Sequence, residues 1–341
     1  MTRSRPTLPD HAPDETAAGR VAFWRRTPPA LFPACLGALS LGLAWRGAGA
    51  AMDAPGWIGE LLLVVFGTVF TGIFLAFLAK IARRPAVLLQ DLTPKPMRAA
   101  ASAGSMGLML LAAAILPWAE AAARWVWWAG LALHAACAVA VLAIMIGEWR
   151  EGGWRELPLG PVLFLPLVGQ VVAPPAGIAL GYPQLSLALL YGSLLPAVAI
   201  AVAALARFLS GAPLPPPARP AQAIYLATTA IIARDAALLD HQALFLGLFV
   251  LALVTLVLLL LKLRWLTEGG WTPSWGAFTF PLGACAGLCL TAEKLLPGLG
   301  AGWIGMAVLI PATAVIPWIL GRSLAAWASG RLAAVTGAAI A

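Results

Sequence analysis

WTPSWGAFTFPLG, residues 271–283, stands near the head of a charge-free run from Gly269 to Ala292. That run is long enough for a helix to cross the hydrocarbon core of a bilayer, which takes about 20 residues. Pro281 lies inside it. Proline has no amide hydrogen, so a helix through Pro281 loses an i→i−4 bond and should kink there. Within a membrane the freed carbonyl is tolerated only beside protein or a water-filled cavity. Phe280, immediately before the proline, is then either a ring that packs at a bend or a plug beside an opening.

The rest of the chain has the same character. Charged residues make up 11% against about 25% in a globular domain, hydrophobic residues make up 61%, and the mean hydropathy is +0.89. An all-α polytopic membrane protein follows. Further charge-free runs cover Thr27–Trp45, Leu61–Ala79, Ala99–Ala119, Trp125–Gly147, Gln242–Leu261 and Leu295–Gly321. Leu157–Ala206 is too long for one crossing, and the turn signal Gly181-Tyr182-Pro183-Gln184 divides it in two. A shorter run, Pro220–Ala233, lies between Arg219 and Arg234, and counting it brings the expected spans to ten. With ten spans and a cytoplasmic N-terminus, only Arg46, Arg124, Arg234 and Lys294 of the 22 Lys and Arg fall on the outer side. That asymmetry obeys the positive-inside rule. Residues 1–26 then read as a disordered basic cytoplasmic tail, 27–328 as the membrane domain and 329–341 as a short cytoplasmic tail. The first span reads as a retained helix rather than a cleaved leader.

Composition also narrows the function. The net charge of +8 follows from the loops and the basic tail, with no aromatic–basic cluster to suggest a nucleic-acid partner. Cys35, Cys137, Cys285 and Cys289 all fall inside spans, with no His or acidic residue at metal-ligand spacing, so small buried side chains are the expectation and no cofactor or metal is implied. Paired carboxylates, a nucleophile constellation and a phosphate loop are all missing, which argues against an enzyme.

A repeat organises the spans. Glu151-Gly152-Gly153-Trp154 recurs as Glu268-Gly269-Gly270-Trp271. Downstream of these come Phe164-Leu165-Pro166 with Gly169, and Phe278-Thr279-Phe280-Pro281 with Gly283. Trp24, Phe32-Pro33 and Gly37 form a fainter first copy. Spans one, five and nine thus begin alike, as a ring of helical hairpins requires.

These residues carry a resemblance. Phe32-Pro33 through Gly42-Leu43-Ala44-Trp45-Arg46, the loop Leu214-Pro215-Pro216, and Trp275-Gly276-Ala277-Phe278-Thr279-Phe280-Pro281 together resemble the tellurite-resistance/dicarboxylate transporter family, which includes bacterial TehA-like proteins and plant slow-type anion channels. The resemblance covers residues 24–328. It implies five helical hairpins around a central pore lined by the odd helices, a homotrimer with one pore per subunit in a bacterial inner membrane, and permeation by small inorganic anions. It also carries the pore-occluding role to Phe280. The family often has Ala-Pro-Pro-Ala in span seven, where this chain has Ala227-Thr228-Thr229-Ala230, so that span should be less kinked here.

The residue chemistry agrees with an anion pore poor in fixed charge. His134 is the sole ionisable residue well inside an expected span, either a hydrogen-bonded interhelical contact or a proton relay. What remains for an anion is kinked backbone, helix dipoles and hydroxyls. Pro33, Gly37, Pro117, Pro166, Gly169, Thr228, Thr229, Thr279, Pro281 and Gly283 are the expected kink and lining positions. The glycines are equally readable as close helix contacts. A gated channel for chloride or nitrate is the leading reading, and a proton-coupled dicarboxylate carrier or tellurite-resistance exporter is the alternative.

Overall fold

A computed structural model of the chain describes residues 22–153, 160–209 and 214–341, with the backbone alone at Arg207 and Phe208. The disorder expected of residues 1–21 and the Trp154 of the first repeat lie outside these residues. Among the described residues every regular element is helical.

Nine segments among the described residues are long and apolar enough to cross a membrane. They comprise α1 (Phe32–Met52), α2 (Gly56–Arg83), α3 (Lys95–Ile115), α4 (Glu120–Gly152), α5 (Pro161–Ala179), α6 (Pro183–Leu209), α8 (Gln242–Leu261), α9 (Gly276–Leu295) and α10 (Ala301–Ala328). Between α6 and α8 stands a shorter helix, α7 (Ile224–Leu238), led in by a 3-10 stretch over Pro216–Ala223. α5 is broken into two short helices, Phe164–Val168 and Pro174–Ala179, joined by a 3-10 turn over Gly169–Val172. Prolines at 166, 174 and 175 each remove an amide donor there, which accounts for the interruption.

The two described ends of the chain meet. Ala341 N donates to the Arg25 carbonyl at 3.0 Å, and Arg84 donates to the Ile340 carbonyl at 2.9 Å. Ends on one face require an even number of crossings, so α7 and its lead-in form the tenth. Its length allows this: eight 3-10 residues and fifteen α-helical residues rise about 38 Å. The expected tail at 22–26 is ordered, since Phe23–Arg26 forms a 3-10 turn. The other expected tail contains a helix, Arg331–Thr336.

Burial separates two rings. The apolar windows of α1, α3, α5 and α9 are 78%, 72%, 61% and 72% buried, whereas those of α2, α4, α6, α8 and α10 are 33% buried or less. Leu61, Val64, Val139, Leu195, Val250 and Ile310, all on even helices, expose large apolar side chains of the kind that meet lipid. Each odd helix pairs with the next even one as a hairpin, and the odd helices touch in the order α1, α3, α5, α7, α9 and back to α1. In a bilayer, burial gives helices little reason to associate, so close packing of small residues carries much of the contact. At the α1–α9 seam Gly37 lies against Thr279 and Gly283 lies against Ser40, with no room for a Cβ at either glycine.

Candidate functional site

The inner ring encloses a cavity of about 150 Å³ lined exclusively by odd elements. Its mouth is built from the starts of those elements, at Ala30, Pro96, Val162, Ala221 and Pro273, and it runs inward to Met106, Ile231 and Phe280. Thr228 and Ser274 are the hydroxyl-bearing residues of the lining. The Thr228 hydroxyl donates to the Ile224 carbonyl of its own helix at 3.1 Å, and Ser274 donates to the Pro217 carbonyl at 2.5 Å. The wall therefore offers an ion few free donors and no charged side chain.

Phe280 is half-buried and packs against two hydrophobic clusters at once. One cluster is built mainly on α1, α2, α3 and α10, the other mainly on α5 to α9. The ring therefore bridges the two halves of the interior at the inner end of the cavity. Beside it Pro281 also lines the cavity, and its missing amide leaves the Ala277 carbonyl, on the same wall, without its helical donor.

The expected lining residues divide into groups. Pro33, Gly169, Thr228, Phe280 and Pro281 all line the cavity. Gly37, Thr279 and Gly283 instead form the α1–α9 contact: Thr279 is fully buried, and its hydroxyl lies 3.0 Å from the Pro33 carbonyl and 2.7 Å from the Gly276 carbonyl. Thr229 sits on another face of α7, lining a groove of about 800 Å³ between α6, α7 and α8. Pro166 is buried in α5 without reaching the cavity, and Pro117 is exposed in the turn after α3. His134 reaches across from α4 to place Nδ1 3.0 Å from the Ser105 hydroxyl of α3. Its ring also closes on Gly169 of α5, where an added Cβ would stand 2.7 Å from Cε1.

Two ionisable residues were missed by reading the sequence. The expected seventh span ended at Ala233, but α7 runs on to Leu238 and takes Arg234 and Asp235 inside the bundle. Asp235 is fully buried, and neither carboxylate oxygen has a hydrogen-bond partner among the described residues; Arg234 Nε is likewise buried and unpartnered. Their charge had marked them as a boundary. Helical spacing from Thr228 and Ile231 was the signal that placed them on the inner face.

Other buried charges sit at the ends of the helices and are paired. Arg46 makes a two-pronged contact with Glu60, at 2.7 and 2.8 Å, and caps the Ala113 and Ala114 carbonyls of α3. Arg98 grips Glu148 at 2.7 and 3.0 Å. Lys80 and Asp91 pair at 2.6 Å, both shut off from solvent. No group of three or more His, Cys, Asp or Glu suited to a metal ion occurs among the described residues.

No curated protein matches the chain. The sequence profile of the voltage-dependent anion channel family matches residues 26–324, from the turn before α1 to within the last turn of α10. With odd helices around one cavity and a match that takes in all ten crossings, the chain belongs to the voltage-dependent anion channel family.

Proposed function

We propose that this protein is a gated channel for small monovalent anions such as chloride and nitrate, and that Phe280 occludes its pore. One observation carries the reading: Phe280 lines the inner end of a cavity whose walls come from the odd helices and their lead-ins, and it packs against both halves of the interior. A wall without fixed charge holds anions weakly and discriminates by the cost of dehydrating them, which suits conduction. The excess of Lys and Arg in loops on the side of the termini supports cytoplasmic N- and C-termini in a bacterial inner membrane. Assembly as a homotrimer with one pore in each subunit belongs to the same proposal and rests on family resemblance.

The second reading, a proton-coupled dicarboxylate carrier or tellurite-resistance exporter, draws on Arg234 and Asp235, an ionisable pair inside α7. Reconstitution into proteoliposomes separates the two. Phe280→Ala is expected to raise chloride and nitrate flux sharply with no proton gradient imposed. Unchanged flux through a folded variant sinks the gate, and flux that strictly requires a proton gradient favours the carrier.

A further inference from the structure

We infer that Arg234 forms a binding site for a single monovalent anion in the pore, on the far side of Phe280 from the central cavity. The site rests on the channel reading and extends it. Along α7, Ile224, Ala227, Thr228 and Ile231 line the cavity, and residues three or four apart share a helix face. Arg234 and Asp235, three and four residues beyond Ile231, both continue that series, and Asp235 also stands seven beyond Thr228. On α9, Gly287 lies seven residues after Phe280, on the same stripe and about 10 Å further along the axis. The two stripes converge: a Cβ on Gly287 would meet Arg234 Nη1 at 3.7 Å. The guanidinium therefore lies over a residue of that stripe with no side chain, two helical turns beyond Phe280.

This guanidinium has an unmet donor. Nε is buried with no hydrogen-bond partner, and no ion pair reaches Arg234 among the described residues. A charged group at membrane depth is costly unless water or a counter-ion satisfies it. Asp235 follows Arg234 on the same helix, about 100° round the axis, and neither of its carboxylate oxygens takes a hydrogen bond from the guanidinium. An anion placed on Arg234 meets a flat, forked donor suited to chloride or to the planar oxygens of nitrate, tempered by the carboxylate beside it. A dianion placed on Arg234 would have a carboxylate beside it on the same helix. Weak binding of monovalent anions is what a conducting site requires.

Line broadening of chloride NMR by the purified full-length protein in detergent reads this site without any flux, with nitrate and succinate as competitors. Arg234→Gln is expected to weaken chloride binding about tenfold, the loss typical of one charge-assisted hydrogen bond. Arg234→Lys should keep part of the binding, and Asp235→Asn should bind as well as wild type or better. Nitrate should displace chloride and succinate should not. If Arg234→Gln fails to fold, Gly287→Leu, which fills the space under the guanidinium and keeps both charges, should produce the same loss. Wild-type binding in either folded variant overturns the site. So does an Asp235→Asn that loses as much as Arg234→Gln while the double variant recovers, because the pair then only neutralises itself. Displacement by succinate as effective as by nitrate overturns the monovalent preference. Absence of flux through Phe280→Ala with chloride binding intact sinks the channel and leaves the site. Flux through Phe280→Ala with unchanged binding in Arg234→Gln does the reverse.

Discussion

The Thr279 hydroxyl donates to the Pro33 carbonyl across 3.0 Å, tying α9 to the first turn of α1 one residue before Phe280. Gly37 lies directly against the same threonine, with no space for a Cβ. The seam that holds Phe280 in place is therefore both hydrogen-bonded and tightly packed.

Thr279→Val, which keeps the shape and removes the donor, is expected to cost about 0.5–1.5 kcal/mol of stability. Gly37→Val should cost more, about 1–3 kcal/mol, because Thr279 must move to admit the new methyl groups. Thermal melting of the detergent-solubilised variants ranks them. A Gly37→Val that melts at the wild-type temperature contradicts the close approach.

His134 is tied to Ser105 and wedged against Gly169, so its expected role is to hold α3, α4 and α5 together. His134→Gln should lower stability by about 1–3 kcal/mol, as loss of a buried hydrogen-bond partner does, and leave anion flux in a Phe280→Ala background near that of the parent. Lost flux with an unchanged melting temperature would instead assign His134 to proton transfer.

Lys80 and Asp91 form a buried ion pair, and Lys80 also donates to the Thr27 carbonyl at 3.1 Å. Removing one partner strands the other charge. Asp91→Ala is expected to destabilise the protein by about 3–5 kcal/mol, while Lys80→Met combined with Asp91→Leu should recover most of that loss. A double variant no better than Asp91→Ala means that the ionic character of the pair, and not its neutralisation, is what the fold needs.

Residues 338–341 bind back onto the segment before α1 and the α2–α3 connection: Ala339 N donates to Asp91 at 2.8 Å, and Ala341 N donates to the Arg25 carbonyl. Truncation after Gly337 should expose the amides of residues 25–31 and raise their hydrogen-exchange rates, with little change in α5 to α8. Uniformly unchanged exchange would show that this segment holds nothing in place.

Much of the architecture was legible because a crossing leaves a strong signal, a long run without charge. The runs around Phe70, Trp127 and Phe245 became α2, α4 and α8, and the Trp, apolar-Pro and Gly pattern marked three helices of the inner ring. The same criterion failed at α7. A run of uncharged residues ends at Arg234, whereas the helix continues, because a helix enclosed by protein can hold charges that one facing lipid cannot. The site was harder to read. Gly37, Thr279 and Gly283 have the small or hydroxyl-bearing side chains of a pore wall, but those are also the residues that let two helices touch, and sequence alone does not separate the uses. Met106 and Ile231 line the cavity yet look like any core residue. Only the path of the backbone sets them on the inner face.

The meeting of Ala341 with Arg25, together with the packing of α9 and α10 on α1, has a topological consequence. Five hairpins joined this way form a closed circle in which the first and last are neighbours like any other two. Where the chain starts along that circle is then a matter of connectivity, not of structure. A circular permutant that links Ala341 to Ala22 through a short flexible peptide and opens instead in the turn at Leu116–Ala119 should assemble the same bundle, with new ends on the opposite face.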